Sequence, residues 1–308
     1  MRQHPSLPMS DATDIEELFA QVSNWQRWGE HDELGTINLI TPEKRRRAAA
    51  LVRQGVSISL ARDVMKIASD NSAPFVHRML ETGQATDAIS ASDSYATAYH
   101  GYTQTHLDAL CHIFHQGRMY NGFSREEVSE AGAEHLSVLC LKSGIFTRGI
   151  LVDMPQIHGL PYLPGGRAVG AAELAHWAAV TGAAVEPGDA LFLRTGRWRR
   201  RAEEGPWNIE QDSAGLHVSA VAWLRQHDVA ILGSDLAADV MPSGVPNVRM
   251  PVHLLVIAAL GAPIIDNCDL EALSLKLREQ GRQDFLLTLA PLAVPGGTGS
   301  PVNPIATF

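Results

Sequence analysis

Four short apolar runs, set apart from one another by helical patterns, constrain this chain more than any other feature. They are "GILVDM" (149–154), "DALFLRTG" (189–196), "VAILGSD" (229–235) and "APIIDN" (262–267). Each has the length of a strand rather than of a helix. Between or beside them, "AAELAHWAAVTG", "SAVAWLRQH" and "MPVHLLVIAALG" carry helical patterns, and "FLLTLAPLAV" supplies a further strand. Strands and helices recurring in this way predict a mixed α/β domain. Upstream, "TPEKRRRAAALVRQG" reads as a helix, with Thr41 as N-cap, Pro42 in the first turn and Gly55 as the stop, and "VSISLARD" follows as a strand.

Residues 1–12 read as a loose N-terminal tail and 13–308 as a single domain. The Pro- and Gly-rich stretches "GLPYLPGGR", "MPSGVPNVRM" and "VPGGTGSPVNP" read as loops within that domain, not as an interdomain linker. A hydrophobic content of 45% with 19% charged residues supports a sizeable core. The formal charge of -9 argues against nucleic acid as a partner, because phosphate backbones are held by clustered Lys and Arg. The one basic run, "RTGRWRRR" (194–201), runs straight on towards Glu203 and Glu204 and is expected to be a solvated surface stretch. Three cysteines with no C-x-x-C pair favour a reducing compartment. With no apolar run of signal-peptide or membrane-spanning length, the expectation is a cytoplasmic protein that does not enter a membrane.

The chemistry gathers in "YHGYTQTHLDALCHIFHQG" (99–117), which holds four of the thirteen histidines. If the segment is extended, His106 and Asp108 point to one side, roughly 7 Å apart. If "DALCH" is a helical turn, Asp108 and His112 are neighbours at i, i+4. A strand running into a turn therefore gathers His106, Asp108 and His112 around one point, and neutral imidazole with carboxylate suits zinc or manganese. In a fully extended chain His100 would lie about 20 Å from His106, so it can join only if Gly101 lets the chain fold back. His115 reads as an ordinary polar residue. H-x-D pairs also occur on plain polar surfaces, so a metal site needs support from elsewhere. His253 and Asp266, polar residues in apolar surroundings, are the candidates, since such groups are costly to bury unless paired or metal-bound. Cys111 reads as a core residue, because its helix neighbour His112 would face another way. The nucleophile-elbow, phosphate-loop, H-E-x-x-H and strand-linked dinucleotide motifs are absent.

"THLDALCH" resembles the signature of the putative cyclase family, whose His-x-Gly-Thr-His-x-Asp-x-x-x-His motif builds a metal site. Characterised members include bacterial kynurenine formamidase and isatin hydrolase, metal-dependent hydrolases of amide-type bonds. The resemblance runs from "NWQRWGEHDELGTINLITPEKRRRAAALV" through "GDALFLRTGR" and "GSDLAADVMPSG" to "PVHLLVIAALGAPIIDNCDL" and "APLAVPGGTGSPVNPIA". It implies a swivelling β/β/α domain, assembled as a homodimer or higher homo-oligomer, that acts on a small molecule. It also places His106 and Asp108 on metal ligands and His112 on a histidine that is either catalytic or a ligand of a second metal. His253 and Asp266 fall on the distal histidine and acid, the latter a Glu in formamidases.

Tyr102 stands where the family has its first metal histidine, so His100, Tyr102 or Gln104 has to supply the missing ligand. A single-metal or altered site is expected in place of the family's two-metal arrangement. The implied activity is hydrolysis of an amide, cyclic amide or lactone-type bond through metal-activated water, with His112 or His253 moving the proton. The alternatives are a metal-assisted lyase or cyclase and a non-catalytic binding homologue. Tyr99, Tyr102, Phe114, Tyr120 and Phe123 are candidates to line a pocket for a planar ring.

Overall fold

The computed structural model describes residues 14–68 and 73–308, so the expected tail over 1–12 lies outside the described residues. A nine-stranded mixed sheet organises the chain. In chain order the strands are β1 (Ser57–Ser59), the hairpin pair β2 (Val76–Glu81) and β3 (Ser92–Ala96), β4 (His106–Asp108), β5 (Ile145–Asp153) and β6 (Ala190–Arg194). They are followed by β7 (Ile231–Ser234), β8 (Ile264–Asp266), β9 (Asp284–Leu289), β10 (Gly299–Pro301) and β11 (Ile305–Thr307). Among the described residues the β2–β3 hairpin forms a sheet of its own, the other nine form the large sheet in the order β1-β11-β9-β5-β6-β7-β8-β4-β10, and four two-residue strands (128–129 with 132–133, 168–169 with 215–216) make two small pairs apart from it.

The predicted apolar runs are the heart of this sheet. β5, β6, β7 and β8 run parallel, and every residue of β6, β7 and β8 is buried. β4 then joins β8 antiparallel, and β10 joins β4 antiparallel, closing that edge. Helices α1 (Ile15–Val22), α2 (Pro42–Ala49), α3 (Ala171–Thr181), α4 (Arg197–Glu204), α5 (Ala220–Gln226) and α6 (Glu271–Gln280) accompany the strands. A further helical segment starts at Pro251–His253 and continues as a π-helix over Leu254–Leu260. The apolar faces meet in one large core that includes Trp177, Phe192, Ile231, Ile257 and Phe285, each fully or almost fully buried.

Three expectations need correction. The helix at Thr41 is capped as read, its hydroxyl accepting from Lys44 N, but it ends at Ala49, well before Gly55. "VSISLARD" and "FLLTLAPLAV" contribute strands only over Ser57–Ser59 and Asp284–Leu289. The basic run is not wholly a solvated surface, because Arg194 and Arg197 are 4% and 2% exposed. Arg194 pairs with Asp153 and Glu271. Arg197 donates to Asn267 Oδ1 at 2.7 Å and to the carbonyl of Tyr102. These partners lie far away in sequence, which is why the run looked solvent-facing. Arg199 and Arg200 do pair with Glu203 and Glu204 at i, i+4 along α4.

Candidate metal centre

Alternation along β4 sends Leu107 into the core and leaves His106 and Asp108 on the other face. The flanking strands set opposite them Asp266, which pairs in register with His106, and Gly299, which pairs with Asp108. His106, Asp108 and Asp266 are all buried. His106 Nδ1 lies 2.8 Å from the carbonyl oxygen of Gln104, which can only accept. Nδ1 therefore carries the hydrogen, and in the neutral ring Nε2 keeps its lone pair. Nε2 faces Asp108 Oδ1, 3.3 Å away.

His100 reaches the same point because the chain folds back at Gly101, whose φ of +139° suits glycine alone. The returning loop is held from two sides. Asn267 Nδ2 donates to the carbonyls of Gly101 and Gln104 at 2.8 and 3.0 Å, and the Thr105 hydroxyl donates to the Asn267 carbonyl. His100 Nε2 pairs with Thr298 Oγ1 at 3.0 Å, and Nδ1 stands 2.9 Å from Asp108 Oδ1. Close as they are, these last two atoms are not aligned as a hydrogen bond, and neither has any hydrogen-bond partner. Gly299 makes room for the ring: a Cβ there would lie 3.1 Å from His100 Cε1 and 2.4 Å from the Leu107 carbonyl.

Two sets of three donors thus share Asp108, each drawn together to within 4.8 Å. One is His100, Asp108 and His112, and the other is His106, Asp108 and Asp266. His112 follows β4 in a turn closed by its amide donating to the Ala109 carbonyl. Its ring stacks on that of His100, with centroids 3.8 Å apart and planes 1° from parallel.

His253 opens the π-helix, an irregularity often found at functional sites. Its Nε2 is 3.1 Å from Asp266 Oδ2, and its Nδ1 is 2.7 Å from Asp239 Oδ2. Asp239 also accepts from the amides of Val252 and His253, which fixes the first turn of this helix against the acid.

The charges explain the proton preferences. Burial disfavours the His106 imidazolium, yet Asp108 and then Asp266 outweigh it and raise the pKa to about 9. Asp108, despite burial, is held well below the usual carboxylate range by His106 and His100. His253 is raised well above its ordinary value, with Asp266 and Asp239 overcoming burial. His112 moves the other way: burial lowers it to about 4, in spite of Asp108, so its ring is neutral at pH 7.

Among the three candidates for the missing ligand, His100 alone lies in the cluster. The Tyr102 hydroxyl is turned to Glu210 at 3.3 Å, and burial pushes its pKa up to about 12. Gln104 Nε2 donates to the Met65 carbonyl at 3.3 Å. His115 pairs with Glu16 and stacks on Phe19, an ordinary polar role. Cys111 is a buried core thiol raised by burial to about 12, no nucleophile at neutral pH. Of the aromatic candidates, Tyr99 stacks near His100 and His106, whereas Tyr120 is core and bonds Asp32, Phe123 packs on His135, and Phe114 is exposed. Asp239, Asn267, Thr298 and Gly299 were not singled out from sequence. Asp239 alone had a signal there, an acid inside the apolar "DLAADVM".

The sequence profile described as "Putative cyclase" matches residues 33–239, more than half of the 308-residue chain. The chain belongs to the cyclase family. No protein of curated function matches the sequence. Among solved structures, one described as a novel cyclase is 29% identical, with a TM-score of 0.83 over 93% of this chain and 99% of its own. Isatin hydrolase A from Labrenzia aggregata, bound to benzyl benzoate, is 17% identical, with a TM-score of 0.60 over 84% and 94% of the two chains. A predicted metal-dependent hydrolase from Bacillus stearothermophilus is 13% identical, with a TM-score of 0.50 over 82% and 98%. The last two share the fold. No helix among the described residues is long and apolar enough to cross a membrane.

Proposed function

We propose that this chain is a metal-dependent hydrolase that opens an amide, cyclic amide or lactone-type bond of a small molecule. The observation that carries the reading is a set of buried atoms without hydrogen-bond partners: His100 Nδ1, Asp108 Oδ1 and Asp266 Oδ1. Leaving such an atom unpaired costs about 1–3 kcal/mol, and more when it is charged. One cation held by His106, Asp108 and Asp266 would offset the cost at both carboxylate oxygens. His106, Asp108 and Asp266 would hold the ion, with His100 on hand beside Asp108, and this mixed nitrogen and oxygen set suits zinc or manganese. Such an ion, when bound, polarises a carbonyl and makes water acidic enough to supply hydroxide near neutral pH.

The chain's own groups supply the rest. His112, neutral and half-buried, takes the water proton and returns it to the leaving nitrogen or oxygen, work worth roughly 10²- to 10⁴-fold. Its stacking on His100 holds the ring plane while the proton moves. His253, gripped by Asp239 and Asp266, acts through position: it orients the Asp266 carboxylate toward the ion. With His100 in the cluster, Tyr102 does not have to serve as a ligand, and that removes the main motive for a non-catalytic reading.

The test is turnover of a panel of amides, cyclic amides (isatin among them) and lactones by zinc- or manganese-loaded protein in heavy-oxygen water. The expected product carries one solvent oxygen, and His112→Ala slows its formation at least about a hundredfold. Product formed without the label would make the enzyme a lyase or cyclase. Recovery of every compound unchanged would make the chain a binding protein.

A further inference from the structure

A cavity of about 480 Å³ lies beside the metal centre, and none of the six His and Asp residues discussed above as its ligands or proton carriers is among the residues lining it. Its walls come from the base of the β2–β3 hairpin, from the loop before β4 and from the chain after β10. Phe75 and Tyr95 stack with ring centroids 5.4 Å apart, and Leu292 and Val302 add apolar surface. The volume falls within the usual range for small-molecule sites.

Two polar atoms in this lining lack partners. Gln104 is 3% exposed; its amide nitrogen donates to Met65, but its Oε1 is buried with no hydrogen bond. Thr97 Oγ1 is likewise buried and unpartnered. The first can only accept, and the second can donate. The charges at the site, Arg62 and Asp63, are opposite in sign, and Arg62 is already paired with Asp269 at 3.0 Å, so the cavity favours a neutral guest.

We propose that this cavity is a second binding site, separate from the metal centre, for a neutral aromatic carboxamide. The guest's N–H donates to Gln104 Oε1, its carbonyl accepts from the Thr97 hydroxyl, and its ring lies against Phe75 and Tyr95. Because Gln104, in the loop before β4, presents its backbone carbonyl to His106 and also lines the cavity, the two sites adjoin without sharing a side-chain contact.

Calorimetric titration of the metal-loaded full chain with benzamide tests this. Gln104→Met and Thr97→Val should each weaken benzamide binding about tenfold, the loss of one hydrogen bond to a buried partner. His112→Ala should leave it within about twofold, since His112 belongs to the metal centre and neither lines the cavity nor bonds Gln104. Thr97 lies outside the strands, so its variant keeps the test sound even if Gln104→Met folds poorly. The proposal is overturned if benzamide fails to bind the unmodified chain up to its solubility. It is equally overturned if His112→Ala abolishes binding, or if Thr97→Val leaves it intact.

Discussion

Hydrogen bonds behind the ligands decide which imidazole nitrogens face the acids. The Gln104 carbonyl takes the His106 Nδ1 hydrogen, which leaves Nε2 facing Asp108, and Thr298 engages His100 Nε2, which leaves Nδ1 facing the same acid. Gly299 permits that approach, which makes it the most exacting small residue at the site. Gly299→Ala would set a methyl 2.4 Å from the Leu107 carbonyl and 3.1 Å from the His100 ring. That clash would move β4 itself, so His100→Ala, which removes only the ring, is the cleaner variant: it should bind zinc about 10- to 100-fold more weakly, as read from competition with a chelating dye. Unchanged affinity would mean that His100 contributes nothing to the ion. His106, Asp108 and His112 were legible in the sequence because a strand's alternation and a following turn are local rules. His100 was legible only on a condition, a reversal at Gly101; that Asn267, more than 150 residues away, holds the reversal shut was not. Asp239 carried only the weak signal of an acid in an apolar run, and its pairing with His253 appears only in the fold.

Among the elements, β4 is the one on which both the fold and the site depend. It is three residues long, and among the described residues it alone joins β10 to the rest of the sheet. Leu107, fully buried, anchors its core side. Leu107→Ala should cost about 2–5 kcal/mol, the range for a buried large-to-small change that leaves a cavity, seen as a lower urea midpoint with an unchanged slope. A loss below about 0.5 kcal/mol, the size of an ordinary surface substitution, would show that the strand is not held from its core face. Most strands and helices could be read from their apolar runs, while their ends could not. The helix at Thr41 stops at Ala49 because Ala50, Leu51 and Val52 close into tight turns, and nothing in their side chains announces this. The buried arginines of the basic run were misread for a related reason: charge patterning along the chain cannot reveal Asp153, Glu271 or Asn267 waiting across the sheet.

At the scale of the whole molecule, a cluster of acids and imidazoles this deeply buried ties stability to pH. In metal-free protein His106 is raised to about 9 from an ordinary 6.5. The folded chain then keeps a proton that the unfolded chain releases. The resulting stabilisation is complete below pH 6.5 and is lost as pH rises through about 9. His112, lowered to about 4, has the opposite sign: the unfolded chain takes up a proton that the folded chain refuses, so stability falls as pH drops from 6.5 toward 4. Chelator-treated protein should therefore melt highest near pH 6.5, with its midpoint falling on both sides in a pH series. A midpoint that climbs steadily through pH 9 would contradict the proton's place in the cluster. A bound ion replaces that proton, so metal should raise the melting midpoint most on the alkaline side.

Elemental analysis of protein purified without chelator asks whether these buried His and Asp side chains hold a metal ion. About one equivalent of zinc or manganese per chain is expected, a number set by the three-ligand group around His106, with loss of that metal in His106→Ala. Protein that stays free of metal after incubation with either ion, or a His106→Ala variant that keeps its full complement, would contradict a metal site there.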